Sequence, residues 1–368
     1  MPEENKKNKN IRLSIIISVA ISIAVIVTIL YFTIDSESIE AIKTADINYI
    51  FFAIAIILAF VNWTFWAARL KVIANELDKN INLTLVESLK IVITNMFLAC
   101  ITPSMAGGEP VRVYMLNKKG MNVGSATASV IGERLIDAIF VLILVPIAFL
   151  VFRKVSDLGF INNALLIGVF VFIIFLAVFL YAISKPEKIK RFLIWLSRKL
   201  KRFSKKEESE INVIKRINFE VDNFHRGVNL FKGKGRKALL KAGILTAISW
   251  SAGFMIPSML LLGLGLPPYF IESYAAQVLL LVIIMMPTTP GSSGVAEGSS
   301  FGLYGVLIGV SNDLLGVFVI LHRLITYHMN LLAGAIFQYK IFKSVTSFSL
   351  NKIKSYDSDE EDNPEYEK

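Results

Sequence analysis

Pro103-Ser-Met-Ala-Gly107-Gly108-Glu109 interrupts one long apolar region of the chain, and Pro290-Gly-Ser-Ser-Gly294-Val-Ala-Glu297 interrupts another. We call them the first and second broken motifs. Each is followed by an arginine inside the next apolar stretch: Arg134 comes 25 residues after Glu109, and Arg323 comes 26 residues after Glu297. The near-equal spacing indicates an internal repeat. Interrupted hydrophobic segments at matching positions of two halves are typical of transporter binding sites.

The composition places the chain in a membrane. Of its 368 residues 54% are hydrophobic and 18% are charged, against about 25% charged in an average soluble domain. The apolar run Ile11–Ile34 is too long for the core of a signal peptide and is not followed by a small-residue cleavage site, so we expect it to be a retained span.

Metal, cofactor and nucleic-acid chemistry have little support in the sequence. One cysteine, Cys100, permits neither an intramolecular disulfide nor a thiolate cluster. The three histidines lack the spacing of a zinc site. Basic runs occur without any nucleic-acid recognition motif. We therefore expect no cofactor, no metal and no nucleic-acid partner.

Hydropathy predicts an all-α fold. Stretches long enough to cross a bilayer, about 20 residues each, predict six spans. They are Ile11–Ile34, Ile47–Ala68, Val123–Phe152, Asn162–Ile183, Ala238–Leu262 and Leu314–Tyr339. Two shorter apolar regions, Leu83–Pro110 and Ile271–Val310, contain the broken motifs.

Basic residues predict the topology. Lys6, Lys7, Lys9 and Arg12 place the N-terminus in the cytoplasm by the positive-inside rule. Following the charge bias along the chain, including Arg69 as a cytoplasmic loop residue, puts the two broken motifs on opposite sides of the membrane. The predicted architecture is an inverted repeat of three spans plus one re-entrant helical hairpin per half. The alternative counts each hairpin arm as a full span, for up to about ten crossings.

These features divide the chain into six parts. They are a cytoplasmic N-terminus (1–10), a first membrane repeat (11–152), a linking span (153–184), a basic amphipathic cytoplasmic segment (185–237), a second membrane repeat (238–343) and an acidic cytoplasmic tail (344–368). Both termini are thus predicted to be cytoplasmic in a multi-pass cell-membrane protein.

The 185–237 segment predicts two amphipathic stretches. An interfacial helix on anionic lipid is the favoured interpretation of the first. The second repeats apolar residues at spacings of three and four from Ile214 to Phe231. Its favoured interpretation is a helix docked against the first, and contacts with a partner or a homo-oligomer are the alternative. Trp250 and the other tryptophans are interpreted as interfacial anchors.

Charged residues inside the spans predict the functional site. Arg134 lies 12 residues past Asn122, about 18 Å along a helix, and Arg323 lies ten past Asp313, about 15 Å. Both depths are near the middle of a ~30 Å hydrocarbon core. Glu133 and Asp137 share one helix face. An intramembrane charge must face a partner, a polar cavity or a ligand.

Two interpretations of these charges stay open. Glu109, Arg134, Asp137, Glu297 and Arg323 can form ion pairs that only hold the broken helices together, or they can line a substrate or ion pathway. Half-helix N-termini at the motifs, with Arg112, Arg134 and Arg323, favour an anionic head group. Protons or cations using the glutamates remain an alternative.

Four motifs in order carry a resemblance to a known family. They are Gly107-Gly108-Glu109-x-x-Arg112, Gly132-Glu133-Arg134-x-x-Asp137, Pro287-x-x-Pro290-Gly291-x-x-Gly294-x-x-Glu297 and Arg323-x-x-x-Tyr327. They resemble the transmembrane flippase domain of lysylphosphatidylglycerol synthase/flippase proteins and its stand-alone bacterial and archaeal relatives, over roughly residues 50–343.

The resemblance implies movement of charged or glycosylated lipids between leaflets. It adds Tyr327 to the candidate substrate-binding residues, and it makes the prolines and glycines of the motifs, with Pro103 and Gly108, the hairpin residues. Larger members carry a soluble aminoacyl-transferase domain that we do not expect here. Ser292-Ser293 stands where a further glycine is common, which predicts a stiffer second hairpin.

The leading hypothesis is a lipid translocator whose partner is a membrane phospholipid or a lipid-linked molecule. In it Arg134 and Arg323 hold the phosphate, while Glu109 and Glu297 pair with them when the site is empty or carry a coupling proton. One alternative is an intramembrane lipid-linked group transferase with Glu133 and Asp137 as acid and base. The other is a non-transporting membrane scaffold.

Overall fold

The computed structural model describes residues 46–102, 108–154, 185–201, 236–284, 294–309 and 314–338, together with scattered positions between them such as 221, 222 and 292. Within these residues the structure is helical and has no strand. The helices are α1 Tyr49–Leu77, α2 Leu85–Ile101, α3 Gly108–Lys118, α4 Val123–Arg153, α5 Pro186–Lys201, α6 Arg236–Gly263, α7 Phe270–Ile284, α8 Val295–Ile308, α9 Leu314–Arg323 and α10 Met329–Gln338. A π-helical turn, Leu324–His328, joins α9 to α10 without a break.

Four of the described helical segments are long and apolar enough to cross a membrane. They are α1, α4, most of α6 and the continuous segment Leu314–Ala335. Side-chain caps define two of the starts, because Asn48 accepts from the Ile50 amide at 3.1 Å and Asn122 accepts from the Ser125 amide at 3.0 Å. Each of the four covers most of a span predicted from hydropathy.

The first broken motif separates two antiparallel arms, α2 of 17 residues and α3 of 11. Thr84 and Glu87 form a capping box at the start of α2. Glu87 also pairs with Lys119, directly after α3, so the outer ends of the two arms lie side by side. The Lys119 and Thr84 hydrogen bonds lower the pKa of the exposed Glu87 carboxyl to about 2.

The second broken motif separates α7, of 15 residues, from α8, of 14. Neutral polar groups join these arms: the Tyr304 hydroxyl lies 3.0 Å from Ser273 Oγ and accepts from Gln277 Nε2 at 3.0 Å. Each broken motif therefore lies between two helices that pack against each other. At 1.5 Å per residue α3 and α8 reach about 16 and 21 Å, short of a ~30 Å core.

The two halves pack in a reciprocal pattern. The first-hairpin arm α2 packs on α10, and the second-hairpin arm α7 packs on α4. The central pair is α1 with α6, where Asn62 and Ser249 exchange hydrogen bonds at 2.7 and 3.0 Å. Contacts within the first half, α1 with α2, α2 with α3 and α3 with α4, also have counterparts in the second. This exchange of roles is what a two-fold internal repeat requires.

One predicted boundary is wrong, and several predictions lie outside the described residues. Span Ile47–Ala68 continues to Leu77, so Arg69 is inside a helix and not in a loop. The span Ile11–Ile34, most of the linking segment 153–184 and the tail 344–368 are not described. The predicted sidedness of the hairpins and of the termini remains a prediction.

Candidate functional site

Four charged side chains from three helices meet in the interior. Arg69 of α1 donates from Nε to Glu133 Oε1 at 2.9 Å and from Nη2 to Asp137 Oδ2 at 3.3 Å. Arg112 of α3 pairs with the other oxygen of Glu133. All four are buried. We call Arg69, Arg112, Glu133 and Asp137 the ionic quartet.

The spacing of α4 explains how one helix serves both arginines. Glu133 and Asp137 are four residues apart and project from the same face, as predicted. Two groups of α6 complete the surroundings: Thr246 Oγ1 accepts from Arg69 at 3.0 Å, and Trp250 Nε1 donates to Asp137 at 2.9 Å. Trp250 is thus a partly buried donor to Asp137 at the middle of its helix, and its interpretation as an interfacial anchor is wrong.

The quartet is electrically balanced, with two guanidinium groups and two carboxylates. Burying a charge is tolerated only with such pairing, and removing one partner typically costs about 3–5 kcal/mol. Both carboxylates are engaged by arginines. This arrangement suits a fixed framework better than the acid and base of a group transferase.

The first hairpin carries a further pair at the edge of the quartet. Arg134 Nε donates to Glu109 Oε1 at 2.7 Å, and Arg134 Nη1 lies 3.9 Å from Asp137 Oδ2. The side chains of Arg134 and Glu109 are 43% and 47% exposed. Among the charges at this site, this pair is the accessible one.

The second hairpin repeats the pair in a closed setting. Arg323 Nε donates to Glu297 Oε1 at 2.7 Å, but here the exposed fractions are 11% and 1%. Glu297 also accepts from the Gly294 amide at 2.7 Å, which caps the start of α8. Each repeat therefore places a glutamate in the first turn of the second arm and holds it with the predicted arginine.

The π-helical turn connects the second pair to the first hairpin. The Arg323 guanidinium lies 4.1 Å from the centre of the Tyr327 ring. The Tyr327 hydroxyl donates to the carbonyl of Cys100 at 3.3 Å, near the end of α2. Glu297, Arg323, Tyr327 and Cys100 thus form a continuous link between the two hairpins.

The two repeats differ in charge at equivalent positions. Three residues after each glutamate stand Arg112 and Ser300, and directly before each arginine stand Glu133 and His322. Asp137 and Thr326 stand three residues after those arginines. The first repeat is therefore ionic around its Glu–Arg pair, while the second is neutral.

The structure describes some of the proline and glycine residues of the two broken motifs, and others lie outside the described residues. Gly108 begins α3 where a Cβ would lie 2.9 Å from the Asn95 carbonyl oxygen, so only glycine fits without a shift. Gly294 has φ 86 and Ser292 has φ 52, both in the region that favours glycine. Ser292 donates to the Ile284 carbonyl at the end of α7. Pro103, Gly107, Pro287, Pro290 and Gly291 lie outside the described residues.

Arg69 is the site residue that sequence reasoning missed. Its position near Lys71 and Lys79 reads as a cytoplasmic loop under the positive-inside rule. The available signal was the apolar helix that continues through Leu70 and Ile73 to Leu77, with Arg69 on its buried face. Across the described ranges, no group of three or more His, Cys, Asp or Glu side chains could hold a metal ion.

Comparison with known proteins agrees with the motifs. The model of the family described as the lysylphosphatidylglycerol synthase TM region matches residues 15–334. A UPF0104 membrane protein of Archaeoglobus fulgidus is 35% identical over 299 residues, which cover 81% of this chain and 88% of that protein. Another from Pyrococcus horikoshii is 25% identical over 318 residues, covering 85% and 93%.

No solved structure matches the chain. The order of the four motifs, the membrane-spanning helices and a family match across most of the sequence agree with one another. The chain therefore belongs to the family of the lysylphosphatidylglycerol synthase transmembrane region and is a polytopic membrane protein of its UPF0104 group.

Proposed function

We propose that this protein is a lipid translocator that moves an anionic or otherwise modified lipid head group between leaflets. One observation carries the proposal: both repeats hold the same Glu–Arg pair at 2.7 Å in the first turn of a hairpin arm, one pair half exposed and the other buried. If the two Glu–Arg pairs only held the helices together, we would expect the side chains of both pairs to be buried to a similar extent.

The exposed pair is suited to capture an anion. An arginine within the membrane must face a partner or a polar cavity. Arg134 has a partner in Glu109, but it is also exposed, so it requires a polar cavity as well. Phosphate binds a guanidinium through the same donors as a carboxylate. A lipid phosphate can therefore replace Glu109 on Arg134. Glu109, once released, can hold a cationic group of the same head group or a proton.

The ionic quartet would keep this site in position. Arg69 and Arg112 form ion pairs with Glu133 and Asp137, so they hold α1, α3 and α4 relative to one another. Preorganised neighbours lower the cost of binding. In this proposal Arg134 is the ligand-binding cation of the first repeat, and the quartet is its support.

Alternation between the pairs would move the head group. We propose that the hairpins insert from opposite faces, which their short arms and reciprocal packing favour. Rocking of one repeat against the other would then bury the Arg134 pair and expose the Arg323 pair. The lipid chains stay in the bilayer while the head group passes between the hairpins.

The test is leaflet exchange of labelled lipids in vesicles containing the purified protein. Arg134→Ala and Arg323→Ala should each lower the rate at least tenfold, because one lost charge-assisted hydrogen bond corresponds to about 1.5–3 kcal/mol. Arg153→Ala, at the exposed end of α4, is the matched control and should exchange at the wild-type rate.

Three results would overturn the proposal. Unchanged exchange in both arginine variants, with the fold intact by circular dichroism, would remove these residues from the mechanism. Absence of exchange by the wild-type protein with each lipid class would favour the scaffold. A new lipid species in mass spectra, formed with a candidate donor, would favour the group transferase.

A further inference from the structure

Helix α5 presents an unusual surface outside the spanning helices. Proline, which fits the first turn of a helix, begins it at Pro186, and Glu187 lies in that same turn. Lys188, Arg191, Phe192 and Trp195 are all exposed. They follow one another at i, i+3, i+4 and i+7, so they form a continuous strip along one face. We call these four residues the aromatic-basic strip.

The opposite side of α5 carries its ion pairs. Lys190 is mostly buried and donates to Glu187 at 2.9 Å, and its Nζ lies 2.7 Å from Asp222 Oδ1. At about 100° per residue, Phe192 and Trp195 project roughly 200° and 140° away from Lys190. The strip therefore projects away from the Lys190–Asp222 ion pair.

The strip combines the two features that bind a membrane surface. Phe192 and Trp195 are 51% and 54% exposed, and their rings stack at 6.0 Å. Such an exposed aromatic pair is costly in water and stable at the head-group level of a bilayer. Lys188 and Arg191 flank it, and each base near an anionic surface contributes about 1 kcal/mol.

We infer that the aromatic-basic strip docks α5 on an anionic phospholipid surface. The aromatic rings would enter the head-group region while Lys188 and Arg191 contact lipid phosphates. Phe192 belongs to the apolar face that the sequence predicts for this helix, of which Leu193 and Leu196 are partly buried, and Trp195 is one of the predicted interfacial anchors. The inference is independent of lipid transport.

Hydrogen–deuterium exchange of residues 186–201 tests it, with the full-length protein in nanodiscs of phosphatidylcholine alone or mixed with phosphatidylglycerol. The anionic lipid should slow exchange at least tenfold, because each of the two basic residues should strengthen binding to the anionic surface about fivefold. Lys188→Gln/Arg191→Gln should abolish the difference between the two lipids. Phe192→Ser/Trp195→Ser should speed exchange in both.

Lys237→Gln/Lys241→Gln is the matched control. It removes the same charge from two exposed positions one turn apart on α6, and it should keep the lipid dependence. Exchange of α1 and α6 in every variant reports whether the fold is intact.

Other occupants of the strip would give other results, and each overturns the inference. Equal exchange in both lipids for the wild type rules out the anionic surface. The acidic segment Tyr356–Lys368 is a charge-complementary competitor, and it is the occupant if the protection disappears when that segment is deleted. Protection that disappears with one copy per nanodisc instead identifies a second copy of the chain.

Discussion

Arg134 and Arg323 bind their glutamates through the same atoms and at the same 2.7 Å, yet the Arg134 side chain is 43% exposed and the Arg323 side chain 11%. The local geometry of the two repeats is thus the same while their surroundings differ. A protein with equivalent sites in unequal states is asymmetric in conformation. In the mechanism that we propose, this difference corresponds to one of the two states between which the repeats would alternate.

Thiol chemistry measures this asymmetry directly. With the single native cysteine replaced by Cys100→Ala, a water-soluble thiol reagent should modify a Glu109→Cys variant at least about tenfold faster than a Glu297→Cys variant, because reaction requires exposure to water. Both rates are measured in detergent and normalised to the unfolded protein. Equal rates would contradict the unequal exposure of the two pairs, because the reagent would then reach both positions equally well.

Removal of Arg69 should be among the most destabilising changes in the protein. Arg69→Gln leaves Glu133 with one cation, Arg112, and removes the cation nearest to Asp137. An uncompensated buried charge costs about 3–5 kcal/mol. Thermal unfolding in detergent should show a large decrease in midpoint. Lys71→Gln, two residues along the same helix and partly exposed, should change the midpoint little.

A second substitution separates the charge from the shape of Arg69. Asp137→Asn in the Arg69→Gln background removes the carboxylate that the arginine neutralised, so it should restore part of the lost midpoint. Additive losses from the two substitutions would mean that packing, and not charge balance, explains the role of Arg69.

Hydropathy and motif spacing predict the helical fold, the two hairpins and both Glu–Arg pairs. These features depend on local sequence: apolar length determines a span, and proline with glycine interrupts it. The pairing of Glu109 with Arg134 and of Glu297 with Arg323 follows from the repeat, since equal spacing in two halves implies one geometry.

The ionic quartet required the structure. Arg69 is 64 residues from Glu133, and the contact depends on how α1 packs against α4. The continuation of α1 past Arg69 is a local signal of burial, but it does not identify the partners of the arginine, because these lie on other helices. The interpretation of Trp250 failed for the same reason: its partner Asp137 lies on another helix.

Gly334 should tolerate no larger residue. A Cβ at this position would overlap Phe97 Cβ and lie 2.8 Å from Phe97 Cγ, where α10 meets the first hairpin. Gly334→Ala should therefore destabilise the protein by about 1–3 kcal/mol, the usual cost of overpacking. Gly298→Ala is the matched control, because no atom lies within 4 Å of its added Cβ. If both variants unfold at the same temperature, α10 does not pack on α2 this closely.

Glu87 should make the first hairpin sensitive to acid. Its folded pKa is lowered from the ordinary 4.5 to about 2 by Lys119 and Thr84, so the stabilisation is complete above pH 4.5 and is lost as pH falls through 2. The difference in unfolding midpoint between wild type and Glu87→Gln should thus shrink as pH falls below 4.5. A difference that is constant down to pH 2 would show that the Glu87–Lys119 contact contributes nothing.

Tyr327 should contribute through two separable interactions. Tyr327→Phe removes only the hydrogen bond to the Cys100 carbonyl, at a cost of about 0.5–1.5 kcal/mol. Tyr327→Leu also removes the ring over Arg323, worth about 0.5–2 kcal/mol more. Unfolding midpoints should therefore decrease in the order wild type, Tyr327→Phe, Tyr327→Leu.

If Tyr327→Phe matches the wild type while Tyr327→Leu is destabilised, the ring holds Arg323 but the hydroxyl does not join the hairpins. If neither changes, the steps from Arg323 to Cys100 contribute no measurable stability, because both pass through the Tyr327 side chain.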